Sequence, residues 1–159
     1  SKTPKSLTLD DKAQDTASKG TTLSGVNLKA SKTYTLKATD ARNAVATRTA
    51  DVAFRDKRHW WVAVSLDAVG VTDQIINQAT GELAAGYSKT FTLNAAAGQH
   101  IYYAFPASWG TPRFFVGGFE GGFALLKTFD HKNASGATIS YAVWKSTNAG
   151  LGNTTVEVK

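Results

Sequence analysis

Side chains suited to catalysis or metal binding are few in this 159-residue chain, and they are scattered. It holds three histidines, His59, His100 and His131, and neither cysteine nor methionine. Each histidine falls in a separate strand-like segment, none has a carboxylate at metal-ligand spacing, and no HExxH pair occurs. No GxSxG elbow offers a serine nucleophile, and a thiolate is excluded by composition. Glu120, in VGGFEGGF, is the acid that stands out. A carboxylate among apolar neighbours could have a raised pKa and act as a general acid. A glycosidase needs a second carboxylate across the scissile bond; Asp67, Asp73 and Asp130 are the candidates, and no spacing ties them to Glu120. The structural alternative is a turn residue that bonds backbone amides or pairs with Arg113, and this is the expected role. Gly117-Gly118 and Gly121-Gly122 lack the helix and lysine of a phosphate loop and are expected at bulges or close backbone approaches. The chain is expected to be non-enzymatic, with no catalytic residue, metal site or cofactor.

The segment Ile101–Phe123, IYYAFPASWGTPRFFVGGFEGGF, places eight aromatic residues, five glycines and two prolines beside a single acid and a single base. Tyr102-Tyr103 and Phe114-Phe115 are aromatic doublets, as is Trp60-Trp61 upstream. Neighbouring side chains on a strand point to opposite faces, so each doublet sends one ring to each side of its sheet. Both sheet faces are then expected to be covered: one by the protein's core, the other by a second domain, an identical subunit or a ligand. Trp109, in PASWGTP, lies in a loop fenced by Pro106 and Pro112. A rigid exposed aromatic can stack on the apolar face of a sugar at little entropic cost. Trp109, Tyr103 and Trp61 are the candidate stacking residues, with Arg113 and Lys145 as polar partners for an anionic or hydroxylated glycan. The same rings could equally be core or subunit interface.

The elements that would position these residues are strands. Hydrophobic periodicity is almost entirely period two, and charged residues make up only 19%, which favours strands and turns over solvent-exposed helices. Lys32–Asp40 puts Tyr34, Leu36 and Ala38 on one face and threonines with Lys37 on the other. After the turn Asp40–Asn43, Ala44–Phe54 returns as its hairpin partner. Ser6–Leu9 and Thr22–Leu28 complete a small sandwich-like unit of about four strands. The charge run Arg55–Arg58 marks a boundary, giving units 1–56 and 57–159. Beyond it, strands are expected at 59–65, 88–93, 100–105, 113–116, 123–132, 138–145 and 154–158. A turn is expected at 133–136, and exposed loops at 77–85 and 95–99. Thr72–Gln78 is the one helix candidate, capped by Thr72, with Asp73 in its first turn, Ile75 and Ile76 facing inward and Gly81 stopping it. The fold class is all-β, an antiparallel sandwich with one short helix.

Net charge is +6, which suits an anionic partner such as a cell-wall polymer or else reflects solvated turns and edge-guarding lysines. Nucleic acid is not expected, because the aromatic stretch is nearly uncharged and the basic cluster lies elsewhere. No apolar run approaches a membrane span, and neither membrane insertion nor a signal peptide is expected. The lack of an initiating methionine suggests a processed product or a piece of a longer protein.

KTYTLKATDARNAVATRTADVAF resembles the final strands of bacterial and phage immunoglobulin-like domains, with Asn43-Ala44 where a glycine turn is usual. Such domains normally run to about 80 residues, so this unit is expected to be abbreviated or cut at its start. The remainder, through HWWVAVS, IYYAFPASWGTP, FFVGGFEGGF and YAVWKSTNAGLGNTTVEVK, is similar to C-terminal modules of phage virion proteins of the tail fibre and baseplate kind. The resemblance implies a non-enzymatic virion module near the distal tail, assembled in the host cytoplasm and mediating host attachment. Its implied partners are host-surface polysaccharide or an anionic envelope polymer, further copies of itself (a trimer in a fibre) or neighbouring virion proteins. A purely architectural module and a bacterial surface adhesin remain as alternatives.

Overall fold

The computed structural model of the chain describes residues 3–18, 20–24, 26 and 31–159. The chain is all-β with antiparallel sheets, in two units, Ser1–Phe54 and Arg55–Lys159.

The first unit carries one four-stranded sheet of order β2-β1-β3-β4, with β1 Ser6–Leu9, β2 Lys12–Gln14, β3 Lys32–Thr39 and β4 Val45–Val52. The β3–β4 hairpin is set by turn chemistry: the Asp40 carboxylate accepts from the Arg42 and Ala44 amides at 2.8 and 2.9 Å. Asn43 sits at φ 63°, a left-handed conformation asparagine tolerates, which is how the turn closes without the usual glycine. Asp10 ties β1 to β3 by pairing with Lys32 at 2.7 Å and accepting from the Thr35 amide. Period two holds, since Leu7, Leu9, Tyr34, Leu36 and Ala38 share a face and threonines line the other. None of the described residues of this unit is buried, and Val45 is 61% exposed. The expected small sandwich is therefore corrected to a single sheet among the described residues. No strand forms over 20–24 or at 26, and the rest of the Thr22–Leu28 expectation lies outside the described residues. β2 was hidden in sequence because three polar-flanked residues carry no periodicity.

The second unit is a sandwich. It contains β5 Asp56–Val64, α1 Asp73–Gln78, β6 Thr80–Ala84, β7 Lys89–Ala95, β8 Gln99–Pro106, β9 Phe114–Val116, β10 Phe119–Glu120, β11 Phe123–Lys132, β12 Thr138–Ser146 and β13 Gly152–Val158. Asp56 already pairs with Ala84, so the boundary falls two residues before the expected one. A five-stranded sheet of order β11-β12-β8-β5-β6 packs on a four-stranded sheet of order β10-β9-β13-β7. Between them lie Ile101, Tyr103 and Phe105 from one sheet and Phe91, Phe114, Val156 and Val158 from the other.

The opposite face of the five-stranded sheet is also closed. There Tyr102, Ala104, Tyr141 and Val143 meet Val71 and Ile76, carried by α1 and the chain leading into it. Thr72 caps the helix by accepting from the Ile75 amide, and Ile76 is completely buried. The doublets thus divide as alternation requires: Trp60 and Tyr103 face the sandwich interior, Trp61 and Tyr102 the helix side. The element on the second face is the chain's own helix segment, not another domain, subunit or ligand. Phe115 differs: it turns to the outside of the four-stranded sheet, under Arg113 and Lys159.

The exposed loop expected at 77–85 is instead mostly β6. The helix ends at Gln78 as expected, but it is closed by Ala79, whose amide bonds back to Ile75 and Ile76, and not by Gly81. Gly81 is a strand residue opposite His59, and it must be glycine because a Cβ there would lie 2.6 Å from the His59 Nδ1.

Candidate functional site

The residues singled out by sequence do not assemble into one platform. Tyr103 has no exposed surface; it stacks on Phe91 at 5.4 Å and donates its hydroxyl to the Tyr87 carbonyl at 2.6 Å. It cannot meet a sugar, so its stacking role is corrected to core. Burial pushes its phenol pKa up, as expected for a ring sealed from water. Trp61 lies on the helix side, stacked on Tyr102 at 5.1 Å and 9°. Lys145 is on that side too, donating to the Ser65 hydroxyl at 2.7 Å and the Leu66 carbonyl at 3.1 Å. Its cation pins the chain leading to α1. Trp109 sits at the sandwich end in the short 3-10 turn Ala107–Trp109, half-buried, with one ring face taken by Phe105 at 6.1 Å and 10°. The prolines that fence this loop are buried.

Arg113 and Glu120 form the pair the structural alternative required. Arg113 Nε donates to Glu120 Oε1 at 2.8 Å and its Nη2 to Oε2, a bidentate fork. The guanidinium holds the Glu120 carboxyl below the usual carboxylate range. That is opposite to the elevation a general acid needs, so the general-acid idea for Glu120 is corrected.

What the fork supports is a hairpin tip. Val116 pairs with Phe119 and Phe115 with Glu120, while Gly117 and Gly118 take φ of 58° and 90°, the signature of a two-residue primed turn. Phe119 projects from this tip and is 83% exposed. Beside it, Gly121 and Gly122 form the floor of a notch of about 140 Å³, walled by Val116, Glu120, Asn148 and Leu151. The glycines are required here: both have positive φ, and a Cβ on Gly122 would press the Val116 side chain at 3.1 Å. Sequence reasoning passed over Phe119. The signal was a lone aromatic between two glycine pairs, where flanking strands are too short to bury it.

The three histidines separate two to one. His100 bonds the Ser146 carbonyl through Nδ1 at 2.7 Å. His59 and His131 come together on the helix side, ring centroids 6.4 Å apart. No third ligand joins them: among the described residues no group of three or more His, Asp or Glu is placed to hold a metal ion.

The structure thus defines the class as an all-β antiparallel sandwich unit preceded by a second β-sheet unit. Compared with protein-family models, with curated proteins and with solved structures, the chain matches none.

Proposed function

We propose that the chain is a non-enzymatic module of a phage tail fibre or baseplate, which attaches to the host surface by binding cell-envelope glycan. The Phe119 hairpin is the observation that carries the proposal. Elsewhere in the second unit the large aromatics are at least half-buried, and prominent charged groups are consumed in pairs: Glu82 with Arg58 and Lys89, Asp73 with His131. Phe119 alone among the aromatic rings of the second unit stands fully out, on a turn stiffened by the Arg113–Glu120 fork. An exposed, immobilised ring offers stacking area to the apolar face of a sugar, and the adjoining carboxylate, guanidinium and Asn148 amide are suited to hydroxyls. The net charge of +6 draws in an anionic envelope polymer.

On an array of host-envelope polysaccharides, Phe119→Ala is expected to stay folded and bind about tenfold more weakly, the loss of one aromatic contact of about 1.5 kcal/mol. Binding equal to that of the parent chain would contradict the proposal. Exposed Val64, Val69 and Leu83 favour a second reading, a virion assembly interface. In that case light scattering reports a stable oligomer and the array stays blank.

A further inference from the structure

We infer that β7 is an interface strand: two copies of the chain pair antiparallel along it, joining their four-stranded sheets into one sheet across a two-fold axis at Thr92. The inference is independent of glycan binding and rests on how the free edges of the sandwich are treated.

The sheets of the second unit end in four edge strands, β6 and β11 on the five-stranded sheet and β7 and β10 on the four-stranded one. An edge strand offers unpaired amides and carbonyls to any other chain, and proteins guard it with charge, a bulge, brevity or a cover. β10 is only Phe119–Glu120, and β6 is short and contains Gly81. β11 is long, but it is bulged between Leu125 and Lys127 and carries Lys127, Asp130 and Lys132. At its end the Lys132 amide and carbonyl are taken by Asp73 and Asn77. β7 has none of these devices. It pairs with β13 in unbroken register from Lys89 to Ala95, and Lys89 is its only charged residue. That charge is turned inward, paired with Glu82 at 2.9 Å and laid over the Trp60 ring at 4.5 Å. No other strand of the second unit pairs with the outer edge of β7.

Strand alternation identifies the groups on offer. Arg113 and Lys159 exchange both backbone bonds, and the Gly117 amide bonds the Thr155 carbonyl, so the odd-numbered residues of β13 face β9. Its even-numbered residues therefore bond β7, and Thr154, Val156 and Val158 lie opposite Leu93, Phe91 and Lys89. The other residues of β7, Thr90, Thr92 and Asn94, point their amides and carbonyls outward. Their side chains are exposed, with the Thr92 hydroxyl 3.1 Å from that of Thr155.

A second copy is the occupant this edge fits. Antiparallel pairing about an axis at Thr92 sets Thr92 against Thr92 of the second copy, and Thr90 against Asn94. Every outward amide and carbonyl then has a partner, and every facing pair on that side is uncharged. Thr–Thr and Thr–Asn pairs can also bond across the strands through their side chains. Lys89 falls opposite Ala95, away from its own symmetry mate, so no like charges meet. Phe91 falls opposite Leu93, which carries the apolar side of the sheet from one copy into the other. A two-fold contact of this kind closes at two copies.

Sedimentation velocity and amide exchange by NMR on the intact chain test this. One strand pair buries little surface, so the dimer is expected to be reversible, with a dissociation constant of about 10–100 µM. In concentrated samples the Thr90, Thr92 and Asn94 amides should be protected and should lose protection on dilution, while the inward Phe91 and Leu93 amides keep theirs. Thr92→Lys sets like charges at the axis and should weaken the dimer about a hundredfold. Thr155→Lys adds the same charge one strand further in, with its symmetry mate about 14 Å away and screened, and should leave the dimer assembled. A chain that is monomeric at every concentration, a trimer, or a dimer that Thr92→Lys leaves intact would overturn the inference. Should Thr92→Lys not fold, the wild-type Thr92 amide decides: protection that rises with concentration supports the pairing, and its absence refutes it.

Discussion

Truncating Tyr103 to alanine is expected to destabilise the second unit by about 3–5 kcal/mol, the range for deleting a fully buried aromatic. The ring is the centre of the inter-sheet contact. It stacks on Phe91, meets Phe114 edge-on at 6.1 Å and leans on Phe105 at 5.7 Å, so its loss removes contacts to both sheets together. Tyr103→Phe separates the two parts of the effect, since it keeps the ring and removes only the bond to the Tyr87 carbonyl, worth about 1 kcal/mol. Denaturant titration of both variants measures the difference. A Tyr103→Ala loss under about 1 kcal/mol would mean that the ring is not packed as described.

Arg58→Met is expected to cost about 2–3 kcal/mol, by stranding acceptors that the guanidinium now satisfies. Arg58 Nε donates to Glu82 at 2.7 Å, and Nη1 donates to the carbonyls of Gly86 and Ser88. Lys89 joins the same carboxylate at 2.9 Å and lies over the Trp60 ring. Glu82 is on β6 and Lys89 on β7, so this network fastens one sheet to the other at the edge where β6 ends. The Lys89 ammonium, then the Arg58 guanidinium, hold the Glu82 carboxyl below the usual range. The two-sheet role implies that Arg58→Met lowers the denaturation midpoint of the whole second unit, leaving a single transition. A midpoint unchanged from the parent would show that the guanidinium is merely a surface charge.

Much of this was legible in sequence because period two is a strong signal where a strand has two different faces. The β3–β4 hairpin and β11 came through for that reason, and the helix came through its Thr72 cap and first-turn Asp73. The doublets also announced a doubly covered sheet. They could not say what covers it, because the cover is one isoleucine, one valine and a loop, whose docking is a tertiary fact. β6 was missed since its five residues, Thr-Gly-Glu-Leu-Ala, read as a loop. Only the His59 ring, 2.6 Å from where a Cβ on Gly81 would lie, reveals why a glycine sits in that strand. In the candidate site, pairing with Arg113 was one of the two roles expected for Glu120, and it is the one the structure shows. Tyr103 was misplaced because composition cannot tell which ring of a doublet reaches the rim, and here neither does. Phe119 became visible only when the hairpin had too little strand on either side to bury it.

The central claim is that both faces of β8 are closed by the chain's own elements, leaving recognition to the rim. Amide exchange at neutral pH tests it most directly. The β8 amides of the intact chain are expected to exchange only through global unfolding of the second unit, among the slowest in the chain. Those of β3 and β4, where no described residue is buried, should exchange orders of magnitude faster. Exchange in β8 as fast as in β3 would contradict the account.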